Sequence, residues 1–130
     1  MIEPPEGIEL LKFPNHVFWF DENGIFCGKS ISGKQVDLSE MKEISEKIIA
    51  HLHGKKVCML IDFSNVSQAN RETRDFVNSE FPKIAKAAAL LSQNPLGRMM
   101  ANLFFNLKKQ PYPTKMFDKE EDAKRWLLDF

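Results

Sequence analysis

The six residues Val57–Asp62, V-C-M-L-I-D, form an unbroken apolar run closed by a carboxylate, and Phe63-Ser64-Asn65-Val66-Ser67 leads from it toward a helix start near Asn70. A run without polar alternation reads as the central strand of an α/β sheet, covered on both faces. The carboxyl end of such a strand, facing a helix N-terminus, is where open α/β sheets place ligands or switches. The run therefore constrains the fold class and marks one end of the domain for function.

The rest of the chain arranges itself around that strand. Ile8–Phe13 and Val17–Phe20 read as strands, and the Asn-Gly pair in Asp21-Glu22-Asn23-Gly24 favours a tight hairpin into Ile25-Phe26-Cys27. Gly28, Gly33 and the polar residues between them suit a turn or an irregular edge. Asp37 or Ser39 can cap a helix whose Met41, Ile44, Ile48 and Leu52 share a face, with Gly54 ending it. Asn70 is an N-cap for a helix carrying Phe76 and Val77, and Pro82 is expected to stop or kink it. Ala87–Leu91 reads as a buried strand. Pro95 suits a helix N1 position, and Leu96, Met99, Met100, Leu103, Phe104 and Leu107 recur along one side as the expected core stripe. Pro111-Tyr112-Pro113 leads stiffly into a short strand, Thr114–Phe117. Asp118 with Glu121 makes a capping pair for a last helix with Ala123, Trp126, Leu127 and Phe130 as its buried stripe. Three strands followed by alternating helices and strands predict a single-domain mixed β-sheet, opened by an N-terminal β-meander, with helices mainly on one face. Residues 1–7 are expected to form a loosely held N-terminal segment.

At 130 residues the chain suits one core. Lys and Arg number 18 against 18 Asp and Glu, and this zero formal charge argues against a nucleic-acid partner, which normally requires a basic excess. Cys27 and Cys58 both fall in expected strands and make no staple pattern, so a reduced cytoplasm fits best. The N-terminus lacks a basic n-region and a signal-peptide core. Met99–Leu107, interrupted by Asn102 and Asn106, is far shorter than the ~20 residues of a transmembrane span.

Several motifs invite chemistry and do not complete it. Gly28-Lys29-Ser30 resembles the end of a phosphate-binding loop, but Gly24 leaves one residue too few and no helix follows directly. His51 and His53 diverge as i and i+2 on a helix end, so they do not share a metal unaided. Cys58 sits inside an apolar run without a base. Glu120, Glu121 and Asp122 complement a helix dipole. Asp62 closes a buried strand with no acid or histidine near it in sequence, which suits a carboxylate bonded to loop amides. No catalytic, metal-binding or cofactor-binding set emerges, and an enzyme is not expected. On a helical wheel Phe105 falls opposite the Leu96, Leu103 and Leu107 stripe, beside Arg98, Ala101 and Lys109. Either the Pro111–Pro113 connection buries it, or it is exposed to dock a partner protein, complete a homodimer or rest on a membrane surface.

Leu60-Ile61-Asp62-Phe63-Ser64-Asn65-Val66 resembles the strand and loop of STAS domains, the fold of anti-sigma factor antagonists such as SpoIIAA. The C-terminal half is similar to the SpoIIAA-like (STAS/SEC14) proteins through Gly97-Arg98, Asn102, Phe104-Phe105, Pro113-Thr114, Phe117, Ala123 and Trp126-Leu127. The resemblance implies a small non-enzymatic bacterial domain that binds another protein or a small ligand. In the antagonists a serine at the start of the following helix is phosphorylated, but Asn70-Arg71-Glu72-Thr73 occupies that segment here and the serine is absent. Arg71 or Glu72 takes its place, and Glu72 would there resemble a permanently charged state. Two surfaces are thereby candidates for binding, the second as the alternative to the first. The first is a loop and helix start comprising Asp62, Ser64, Asn65, Ser67, Asn70, Arg71, Glu72, Thr73 and Arg74, with Asp62 shaping the loop and the arginines meeting an acidic group of a protein partner. The second is the helix with Arg98, Met99, Met100, Leu103 and Phe105, which would hold a lipid or other small apolar ligand against the sheet or form an interface.

Overall fold

The computed structural model describes residues 2–65, 69–105 and 110–130, apart from the side chains of 104 and 105. Its elements are β1 (Leu11–Lys12), β2 (His16–Phe20), β3 (Phe26–Ser30), α1 (Leu38–Leu52), β4 (Val57–Asp62), α2 (Arg71–Ile84), β5 (Ala85–Leu91), α3 (Pro95–Phe105), β6 (Thr114–Phe117) and α4 (Glu120–Leu127). The strands make one six-stranded sheet in the order β1-β2-β3-β4-β5-β6. β1, β2 and β3 pair antiparallel, and β3 through β6 pair parallel, so the sheet is mixed.

β4 lies inside the sheet, and its side chains divide between two cores. Met59 joins Phe18, Phe26, Ile44, Ile48, Val77 and Ala101 beneath α1, α2 and α3. Leu60 joins Ile2, Trp19, Cys27, Ala123 and Leu127 beneath α4 and the N-terminal segment. The alternation of a pleated strand thus buries both faces of an all-apolar run. Three helices cover one face and one covers the other.

Local differences from the sequence expectations have physical causes. The expected strand Ile8–Phe13 shrinks to Leu11–Lys12 at the sheet edge. Gly28, Lys29 and Ser30 continue β3 instead of turning, because β2 and β4 supply partners on both sides. Gly28 is suited to that place: the Phe18 ring lies where its Cβ would project and stacks on Phe26 with centroids 5.2 Å apart. Pro82 does not stop α2, which runs on to Ile84. The proline removes one intrahelical bond, only two residues before the helix ends, and Ala85 N closes the helix on Phe81 O. Asp37 caps α1 by accepting from Ser39 N at 3.2 Å. Lys119, without a side-chain bond, takes the N-cap of α4, so Asp118 and Glu121 make no capping box and the first-turn acids act through charge alone. Residues 1–7 are not loose throughout. Ile2 is 1% exposed within the second core, and Glu3 pairs with Lys29 Nζ at 2.9 Å.

The largest correction concerns α3. Half of its expected core stripe faces outward: Leu96, Met99 and Leu103 are each more than half exposed and Met100 is half-buried, whereas Gly97 and Ala101 are buried; Leu107 and the side chain of Phe104 lie outside the described residues. A Cβ on Gly97 would meet Ser92 Oγ and lie 3.0 Å from the Phe63 carbonyl oxygen. Close approach of the helix to β5 and the β4 loop demands small residues inward, and the large ones are turned to the surface. On α4, Ala123 and Leu127 are buried as expected, but Phe130 is exposed.

Candidate functional site

The carboxyl ends of β3, β4 and β5 share one edge of the sheet, and the candidate residues gather there. Asp62, the last residue of β4, is 3% exposed. Its Oδ1 accepts from Ser64 N at 2.7 Å, holding the turn out of the strand, and its Oδ2 accepts from Ile2 N at 2.6 Å. Both carboxylate oxygens are thus taken up in short charge-assisted bonds to backbone amides of two separate segments. Lys29 lies opposite Asp62 in the β3–β4 register, on the same face of the sheet, and is held by Glu3.

Beyond Asp62, Asn65 Nδ2 donates to Ser30 O at 3.3 Å and binds the β4 loop to the end of β3. Ser67 lies outside the described residues. Asn70 caps α2 by accepting from Thr73 N at 2.9 Å. Arg71 and Glu72 project into solvent, and Arg71 Nε reaches Asp75 at 3.8 Å one turn on. Arg74 is half-buried. Thr73 is fully buried, and its Oγ1 has no hydrogen-bond partner among the described residues. The structure therefore presents Arg71 and Glu72 as the exposed charges of this helix start and withdraws Thr73 from it.

α3 begins beside the same loop. Asn94 Oδ1 accepts from Gly97 N at 2.6 Å to cap it, and Gly97 faces the Phe63 carbonyl. The two surfaces expected separately from sequence are therefore neighbours. Arg98, Met99 and Leu103 are exposed and Met100 is half-buried, while the side chain of Phe105 lies outside the described residues.

Sequence reasoning missed a polar cluster at this end. His16 Nδ1 and Glu40 Oε2 stand 2.6 Å apart, and Glu40 Oε1 accepts from Asn15 N at 2.7 Å. Glu40 is 4% exposed. The residues are 24 apart in the chain. Their only sequence signal is an acid in the first turn of an amphipathic helix, where the dipole already explains it. His16, Ser30 and Asn65 border a cavity of about 70 Å³ between α1, α2 and the sheet.

Titration follows burial. Cys27 is pushed up to about 12, first by burial and then by the Asp21 carboxylate, and Cys58 is raised by burial despite Lys86. Burial also raises Tyr112. For Lys124, burial opposes the charge, but the Glu120 hydrogen bond and surrounding anions raise it overall. None of these is an activated nucleophile.

Residues 18–130 match a family described as DUF7793, a domain of unknown function. The chain belongs to that family. Among curated proteins, none matches. Among solved structures, an uncharacterised DUF3478-family protein from Shewanella loihica PV-4 with a SpoIIAA-like fold is similar at 20% identity, covering 98% of each chain with a TM-score of 0.58. A protein of unknown function from Arthrobacter sp. FB24 is 23% identical over 87% of this chain and 92% of its own, with a TM-score of 0.33. The fold of the DUF7793 domain is thus SpoIIAA-like, as its sequence resemblance implies. Among its described residues no helix is long and apolar enough to cross a membrane.

Proposed function

We propose that this domain is a non-enzymatic binding module of STAS type that captures a protein partner through the outer face of α3 and the adjoining β4 loop. The observation that carries the reading is the exposure of Leu96, Met99 and Leu103, spaced so that they form one outward stripe on α3. Such a stripe supplies the apolar centre that protein interfaces need, and Arg98 and Arg71 supply a charged surround. The matching partner surface is apolar and edged with carboxylates. Asp62 holds the loop in shape from beneath and takes no part in contact.

Two variants test this. Met99→Lys with Leu103→Lys should abolish specific capture of the partner from native cytoplasm, and charge reversal at Arg71 and Arg98 should weaken it by about tenfold per lost buried ion pair. Both proteins should keep the far-ultraviolet spectrum and unfolding midpoint of the parent. Capture that survives the double lysine variant removes α3 as the contact surface. Lipid vesicles that deplete the parent but not the variant would instead assign the stripe to a membrane.

A further inference from the structure

We infer that the gap between α1, α2 and strands β2 to β4 is a binding site for a short-chain aliphatic molecule carrying one hydroxyl. Protein interiors seldom leave voids larger than a water molecule. Here a cavity of about 70 Å³ adjoins a second of about 30 Å³, and Phe18, Met41, Val77 and Phe81 line both. The two form one path between the helices, from the carboxyl edge of the sheet toward Ile48 and Ile84. The larger has room for roughly five groups of water size, the heavy-atom count of a four-carbon alcohol.

The polar groups are unevenly placed. His16, Lys29, Ser30, Asp62 and Asn65 border the larger cavity, whereas the smaller is walled by aliphatic and aromatic side chains apart from Ser45 and Glu80, the latter paired with Lys83 Nζ at 2.6 Å. Glu40 holds His16 through Nδ1 at 2.6 Å, and its second oxygen is taken by Asn15 N. The carboxylate thus assigns the proton to Nδ1 and leaves Nε2 as the ring's other hydrogen-bonding atom. A hydroxyl both donates and accepts, so it matches Nε2 in either protonation state of the ring. The His16 ring is itself oriented by stacking on Phe18, with centroids 6.1 Å apart. A mainly apolar slot with an oriented imidazole at its sheet-edge end is the pattern of a site that takes an amphipathic molecule with its head toward His16. No described residue of α3 lines either cavity, so the inference stands apart from the contact surface proposed above and from a ligand held beneath α3.

The test is a titration of the isotopically labelled full chain with straight-chain alcohols from ethanol to octanol, read from backbone amide shifts. The amides of Val36, Ile61, Asn65 and Val77 should shift saturably with 1-butanol. Affinity should rise about fourfold per added methylene while the slot fills, then fall once the chain is too long. Val77→Met and Ile61→Phe each put side-chain atoms into the slot and should weaken 1-butanol by about tenfold without changing the remaining spectrum. 1-Chlorobutane, of similar size and without a hydroxyl, should bind several-fold more weakly. Absence of saturable shifts overturns the site, as does an affinity that climbs through octanol without a maximum, which is unspecific partitioning. Equal binding of 1-chlorobutane overturns the hydroxyl assignment. The chain-length series needs no variant, so it decides even if both substitutions unfold the protein.

Discussion

Cys27 and Cys58 share a face of the sheet on neighbouring strands, yet their thiols differ. Cys27 is 1% exposed and donates to Ile25 O, while Cys58 is half-buried near the end of α4 and donates to Leu127 O. With burial and Asp21 holding the Cys27 thiol neutral up to about pH 12, it is scarcely nucleophilic under ordinary conditions. Iodoacetamide at pH 8 should therefore alkylate Cys58 first and Cys27 only at the rate of unfolding, as mass spectrometry of the intact chain would record. The same shift has a stability consequence. A folded-state value raised from 9.0 means that the unfolded chain loses the proton first, so the stabilisation is complete below pH 9 and declines as pH rises toward 12. Cys27→Ala should flatten that alkaline decline in urea unfolding curves. A variant with the parent's pH dependence would assign the decline to other groups. That both cysteines lie in strands was legible from their apolar neighbours. Their difference was not, because it depends on Asp21 and on the cover supplied by α4.

α3 shows how an element can be right in place and wrong in rotation. Pro95 at N1 and the three-and-four spacing locate the helix, and the structure begins it there. The same spacing points Leu96, Met99 and Leu103 inward, as periodicity normally does. Gly97 decides otherwise, because its bare Cα lets the helix approach Ser92 and the Phe63 carbonyl. Gly97→Ala should lower stability by about 1 to 3 kcal/mol through overpacking, although alanine favours helix formation by about 1 kcal/mol in an open site. Chemical denaturation measures this directly, and an unchanged or higher midpoint would show that Ser92 and the loop yield freely. α2 carries the complementary lesson. Pro82 reads as a stop or a kink because of its effect on the preceding residue, and tertiary burial of Val77 and Ile84 carries the helix past it.

Across the whole molecule, Asp62 joins segments that lie 60 residues apart, the N-terminal segment and the loop leading to α2. Asp62→Ala leaves two backbone donors without their acceptor at a buried site. The expected loss is about 2 to 4 kcal/mol, with Asp62→Asn losing less because its amide oxygen still accepts. Hydrogen exchange should speed up at both Ile2 and Ser64 in the alanine variant. Acceleration at only one would show that the carboxylate does not couple them. By itself the sequence determined the α/β class, the central strand, the sites of most helices and the end of the sheet where candidate residues collect, because apolar periodicity, glycine, proline and capping side chains act over a few residues. The tertiary structure alone decided which way α3 faces, that Ile2 closes the second core, that His16 meets Glu40, and that a slot opens between α1 and α2. Those depend on backbone approach and on pairings between distant segments, which local patterns do not encode.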